Sequence, residues 1–171
     1  MKRLKIYLPN LMCGNIKKHI FLVLLLISCL GYSTKSLLPS YFKTIYINDV
    51  KNLTTKPLIE NTMKEEVIRA FTKDGSLQVS SDRNSDMSME IEIKEYKKSP
   101  QEYDASQTVY RWRIKITVHV LCTDQVKNRV FWEGDVSFWE DMGRTEEEEE
   151  TIEKICKKIA EDIVTKTITN W

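Results

Sequence analysis

Tyr110-Arg111-Trp112-Arg113-Ile114-Lys115-Ile116-Thr117-Val118-His119-Val120-Leu121-Cys122-Thr123 is the stretch that decides the fold class. Tyr110, Trp112, Ile114, Ile116, Val118, Val120 and Cys122 fall on one face of an extended chain. Arg111, Arg113, Lys115, Thr117, His119, Leu121 and Thr123 fall on the other. A sustained period of two predicts a strand with one face buried and one face wet. Immediately upstream, Met87, Met89, Ile91 and Ile93 alternate in the same way with Ser88, Glu90, Glu92 and Lys94. Downstream, Asp124 to Asn128 turns the chain, and Val130, Trp132, Val136 and Phe138 carry a final strand.

Two helical patterns flank this sheet. Ile59, Met63, Val67, Ala70 and Phe71 recur at helical spacing after Thr54-Thr55-Lys56-Pro57, which offers capping hydroxyls and a first-turn proline, and Gly75 ends the run. Phe42 to Val50, centred on Ile45 and Ile47, predicts a strand before that helix, and Leu77 to Ser80 a short one after it. A strand, a helix and a second parallel strand make a right-handed crossover. The last element is an amphipathic helix with Ile152, Ile155, Cys156, Ile159, Ala160, Ile163, Val164 and Ile168 on one stripe. The prediction is an α+β two-layer sandwich. Two helices pack on one face of a mostly antiparallel sheet of four to five strands, in the order β-α-β-β-β-β-α.

The N-terminus is of another kind. Lys17, Lys18 and His19 precede the apolar run Ile20 to Ile27, which ends at Ser28-Cys29. That run is shorter than the roughly 20 residues a membrane-spanning helix needs, and it suits the apolar core of a secretory signal. Leu26-Ile27-Ser28-Cys29 resembles a lipobox, which implies a diacylglyceryl group on Cys29, cleavage before it and acylation of the new amine. An uncleaved anchor or a buried helix is the alternative reading. Two acyl chains would hold the chain stably on a membrane. Met12 is an alternative start, because Met12 to Ser28 makes a complete signal by itself. The predicted organisation is a signal over 1–28, a lipidated N-terminus and tether over 29–40, and one domain over 41–171.

The signal holds five of the 26 basic residues and none of the 25 acidic ones, so the mature chain carries a net charge of −4. Such a domain has no general attraction for nucleic acid. No metal-ligand spacing, phosphate loop or nucleophile motif is present, so neither cofactor nor catalysis is expected. His119 is the one histidine of the mature chain and reads as a satisfied surface residue on the polar strand face. Cys122 and Cys156 each lie on an apolar face and read as buried free thiols, with a disulfide between them as the alternative. The acidic run Glu146 to Glu150 reads as a solvated helix start whose charge changes should be nearly silent.

Short collinear motifs carry a family resemblance. Gly31-Tyr32-Ser33, Leu38-Pro39 with Lys43-Thr44-Ile45, and Val50-Lys51-Asn52-Leu53-Thr54 open the series. Lys73-Asp74-Gly75-Ser76-Leu77, Tyr103-Asp104-Ala105-Ser106, Val130-Phe131-Trp132-Glu133 and Ala160-Glu161-Asp162-Ile163-Val164 continue it. Together they resemble the lipopolysaccharide-assembly lipoprotein family LptE, in its versions outside the enteric bacteria. Gln107 departs from the pattern, which has a glycine there.

The resemblance implies a non-enzymatic lipoprotein of the outer membrane. It would partner an LptD-type β-barrel as a plug in its lumen and help deliver lipopolysaccharide to the outer leaflet. Leu30 after the cysteine, in place of an aspartate, fits outer-membrane sorting. Arg111, Arg113 and Lys115 are candidate lipopolysaccharide-binding residues, because guanidinium forks suit phosphates. The competing expectation is that they pair across strands with Glu90, Glu92 or Glu133. A binding module of another envelope or secretion complex is the alternative function.

Overall fold

The computed structural model describes residues 38–169, so the predicted signal, Cys29 and most of the tether lie outside the described residues. Six strands and two helices follow in order: β1 (Thr44–Ile47), β2 (Lys51–Asn52), α1 (Ile59–Asp74), β3 (Gln78–Ser80), β4 (Met87–Tyr103), β5 (Val109–Asp124), β6 (Arg129–Gly143) and α2 (Glu148–Thr169). The strands form one sheet in the order β3-β1-β4-β5-β6, and β2 pairs beside β4. Long antiparallel ladders join β4 to β5 and β5 to β6, while the short contacts of β1 and β2 are parallel. The α+β two-layer prediction holds, with six strands where four to five were expected.

The extra strand arises from an interruption. The predicted strand over 42–50 stops at Ile47, where the Asn48 side chain bonds the Met89 carbonyl that its own backbone N–H also uses (3.1 and 2.9 Å). Pairing with β4 resumes at Lys51. As expected from the crossover pattern, β3 returns parallel to β1.

The core lies between the sheet and the helices. Ile45, Ile47, Met87, Met89, Ile91, Ile93 and the Ile114-to-Cys122 alternation are buried against Ile59, Met63, Val67 and Phe71 of α1 and Ile152 to Val164 of α2. Ala70 and Ile168 are only half-buried at the margins. Gly75, at φ 75°, closes α1 by donating its N–H to the Phe71 carbonyl (3.0 Å), a left-handed cap that glycine adopts without steric cost. The far end of α2 is fixed to the edge strand by Trp132, whose indole N–H donates to Thr167 Oγ1 (3.1 Å). Cys122 and Cys156 are buried and free, and burial pushes each thiol up to about 12.

Several local expectations are corrected. The hydroxyls before α1 do not cap it: Thr54 Oγ1 donates to Asn52 Oδ1 (2.7 Å), and the helix starts after Leu58, which sits at φ 67°. Val130 is 55% exposed, because a register shift between Cys122 and Thr123 changes the parity of β6 next to Trp132. At the other end of β5, Tyr110 is exposed and Trp112 only half-buried. Strand β4 runs on to Tyr103, and a shift between Ile93 and Glu95 turns Tyr96 and Lys98 toward the side of Ile116 and Ile114.

That shift gives the acidic run a structural duty. Glu148, in the first turn of α2, accepts hydrogen bonds from Lys56 Nζ (2.8 Å), Tyr96 Oη (2.6 Å) and Lys98 Nζ. It thereby ties α2 to β4 and to the segment before α1. These donors, Lys56 first, lower the Glu148 carboxyl to about 2, and Tyr96 is pushed up by burial and by Glu148. Glu147 and Glu150 remain exposed, as the solvated reading requires.

Candidate functional site

The helices cover one side of the sheet, so the best candidate surface is the other, polar side. Its chemistry comes from alternate residues of the three long strands. Arg111, Arg113 and Lys115 do form a row on β5, near the β4–β5 turn, and each meets a carboxylate. Arg111 lies 3.3 Å from Glu102, and Lys115 lies 3.1 Å from Glu95. Arg113 is held bidentately by Asp141, Nε to Oδ1 at 2.7 Å and Nη2 to Oδ2 at 3.0 Å. Cross-strand pairing is therefore present, but with Glu102, Asp141 and Glu95 in place of Glu90, Glu92 and Glu133.

The three cations are not equivalent. The Arg113 guanidinium also stacks on the Trp139 ring, 3.7 Å from its centroid, so it is fixed on two sides. Its bonds raise its own proton affinity and hold the Asp141 carboxyl below the usual range. Arg111 and Lys115 keep 45% and 44% of their side chains exposed. Ion pairs of that exposure contribute roughly 0–1 kcal/mol. Sequence reasoning passed over Trp139, which is 49% exposed on this face. Its place in the alternation Ser137-Phe138-Trp139 was the signal that could have found it.

Toward the other end the same face turns acidic. His119 lies between Asp135 (Nδ1, 2.7 Å) and Glu133 (Nε2, 3.1 Å), and Lys94 shares Asp135 at 3.2 Å. Hydrogen bonds from His119 and then Lys94 keep the Asp135 carboxyl low. Lys51 does the same for Glu92. With both ring nitrogens engaged, His119 is the satisfied surface histidine expected. Among the described residues no group of His, Cys, Asp and Glu is arranged to hold a metal ion.

The β4–β5 turn closes this face. Asp104 Oδ1 accepts the backbone N–H groups of Ser106 and Thr108 (both 2.9 Å), and Gln107 adopts φ 62°. The left-handed position is where the resemblance had a glycine, so the turn keeps its geometry with a residue less suited to it. A separate concavity of about 300 Å³ between α1 and α2 has buried Glu66 bonded to Arg69, and its rim mixes Lys73 and Lys157 with Asp74 and Glu161. That mixture focuses neither sign of charge.

The family model described as "LptE: Lipopolysaccharide-assembly" matches residues 42–167. No curated protein matches the sequence. Among solved structures, the chain is similar to the hypothetical protein CT253 from Chlamydia trachomatis, with 10% identity over 73% of this chain and 95% of that one and a TM-score of 0.56. It is similar to the uncharacterized lipoprotein B from Nitrosomonas europaea, with 15% identity over 81% and 91% and a TM-score of 0.53. A PelC dodecamer from Paraburkholderia phytofirmans gives 8% identity over 75% and 90% and a TM-score of 0.52. At such identities these likenesses speak for the fold alone.

Proposed function

The chain belongs to the LptE lipopolysaccharide-assembly family, and from that membership we propose that it is a lipid-anchored outer-membrane protein acting with an LptD-type β-barrel. It serves there as a non-catalytic plug and assembly partner in moving lipopolysaccharide to the outer leaflet. The observation that carries this reading is the family match over residues 42–167, which spans every described strand and nearly all of α2. The polar sheet face is compatible with it, since a plug in a wet lumen must present polar surface, as the solvated face of any two-layer domain does. No helix among the described residues is long and apolar enough to cross a membrane, and the proposed attachment is through lipid on Cys29.

Depletion of the protein should leave less correctly assembled barrel and a leaky outer membrane, measured by heat-modifiable barrel mobility and by uptake of large antibiotics. Normal barrel assembly on depletion, or co-purification of a different envelope complex from solubilised membranes, would overturn the proposal. Lipidation has its own test. Cys29→Ser should abolish labelling by a fatty-acid analogue, and equal labelling of the two proteins would remove Cys29 as the anchor.

Within this reading, Arg111 and Lys115 are the residues we assign to anionic glycolipid, because each keeps nearly half of its side chain exposed and has one carboxylate partner, Arg111 standing also 5.9 Å from the Tyr110 ring centroid. Arg113 holds Trp139 and Asp141 in place beside them. Replacing Arg111, Arg113 and Lys115 together with Gln should weaken lipopolysaccharide binding by the purified protein several-fold. The double change of Arg111 and Lys115 should do most of this while leaving the melting temperature nearly unchanged. Unaltered binding in a well-folded triple variant would return the row to a solvated, self-paired face.

A further inference from the structure

The two ends of the sheet differ in a way the glycolipid reading does not use. The chain enters the fold beside the turn between β5 and β6. Leu38 packs on the core margin, and Phe42 meets Phe131 edge-on at 5.4 Å. Tyr41 donates its hydroxyl to Asp124 Oδ2 (3.1 Å), and Lys127 Nζ stands 4.5 Å from the Tyr41 ring centroid. Asp124 itself is fully buried, and the Lys127 backbone N–H (3.0 Å) and Arg129 Nε (3.5 Å) close round it. The turn therefore shows no carboxylate over residues 125–130. It shows Lys127 and Arg129, with Val126 59% exposed at its crest and Val130 55% exposed beside it.

Gln125 N–H donates to the Asp86 carbonyl (2.9 Å), which joins the loop before β4 to this end. The Asp86 carboxylate is taken up by the backbone N–H groups of Lys43 and Thr44 (2.8 and 2.9 Å) and by the Thr44 hydroxyl. Asp82 lies in the same loop as Arg83, whose guanidinium stands over the Tyr46 ring. The exposed charge at the tip of this end is thus Lys43, Lys127 and Arg129, the last paired with buried Asp124, with Asp82 beside Arg83; the acidic stretch of the polar face begins behind it at Glu90 and Glu133.

Tether length supplies the occupant. Eight residues lie between Cys29 and Leu38, a contour of at most about 32 Å. The opposite turn, at Asp104 to Thr108, lies the length of β5 away, about 50 Å for a strand of this length. A lipid on Cys29 therefore holds the β5–β6 turn within reach of its leaflet in every orientation, whereas the distal turn reaches it only when the domain lies flat.

We infer that the β5–β6 turn is a membrane-contact surface, with Val126 entering the interfacial region of the anchored leaflet and Lys127 and Arg129 meeting anionic phospholipid phosphates. This rests on the lipidated reading of Cys29. Each basic side chain near an anionic surface adds about fivefold to surface affinity. The anchor already supplies attachment, so these contacts fix orientation: the sheet stands with its β4–β5 turn directed away from the leaflet.

The test uses the mature lipoprotein reconstituted into vesicles of phosphatidylethanolamine with phosphatidylglycerol. A polarity-sensitive fluorophore is attached through Val126→Cys or, as the distal control, Ser106→Cys. Cys122 and Cys156 are buried and do not compete for the label. The label at 126 should shift to the blue and be quenched by lipids brominated in their chains, and the label at 106 should do neither. Lys127→Glu should reduce the quenching at 126 several-fold, and phosphatidylcholine vesicles should reduce it for the unsubstituted turn. A protein that floats with the vesicles but leaves the label at 126 unquenched overturns the contact while the anchor stands. A protein that does not float overturns both. Shielding at 126 that needs the barrel present also overturns the lipid contact and assigns the turn to the barrel.

Discussion

Ile159→Asp should unfold the domain at ordinary temperatures or bring it close to that point. Ile159 is fully buried in α2, among Ile155, Cys156 and Ile163. An aspartate there finds apolar neighbours, so its charge is either buried unpaired or neutralised at a cost. Such changes remove several kcal/mol, and for a domain of this size each kcal/mol lowers the melting temperature by about 3–5 °C. A loss on the order of 10–20 °C is therefore expected by circular dichroism. Melting within a few degrees of the unsubstituted protein would show that α2 does not present this stripe to the sheet.

Glu148→Gln should be the most damaging change in the acidic run, against the silence expected of Glu147→Gln and Glu150→Gln. The carboxylate receives three donors, and its substitution leaves Lys56 and Lys98 without their main counter-charge. Its carboxyl titrates near 2 in the fold and near 4.3 in the unfolded chain. Stability from this site is fully present above the unfolded value and drains away as pH falls from about 5 toward 2. Two or so units correspond to about 2–3 kcal/mol, reduced by the partial exposure of the cluster and by Glu149, which also reaches Lys56 at 3.3 Å. The melting difference between the two proteins should be some 5–10 °C at neutral pH and should shrink toward zero near pH 2. A gap independent of pH would mean that the substitution acts through packing and not through charge.

These two sites mark where the sequence was legible and where it was not. Period two is readable wherever one face of a strand is sealed by a helix, so Ile114 to Cys122 and Met87 to Ile93 were assigned correctly. It fails beyond the helices, where Tyr110 gains nothing by facing inward, and at bulges, where one unpaired residue inverts the parity. The end of β4 past Lys94 and the position of Val130 were lost for those reasons. Glu148 was unreadable in a different way: its partners lie 50 to 92 residues away in the chain. Nothing local separates it from Glu147 or Glu150. On the polar face, the sequence placed Arg111, Arg113 and Lys115 together, but could not say that Arg113 was bound to Asp141 and Trp139 while the other two kept more of their side chains exposed. Partner choice across a sheet depends on register, and the bulges set the register.

Strand β6 ends the sheet order, so the outer backbone edge of Arg129–Gly143 has no neighbouring strand among the described residues. An edge of this length is a template for aggregation. Arg129, Glu133, Asp135, Glu140 and Asp141 are spread along it, and only Val136 to Trp139 form a run of four residues without a charge in its second half. A second edge pairing here would have to seat against these charged side chains and the partners that hold them. The same residues that dress the strand for water thus act as gatekeepers, keeping copies of the chain from zipping into fibrils edge to edge.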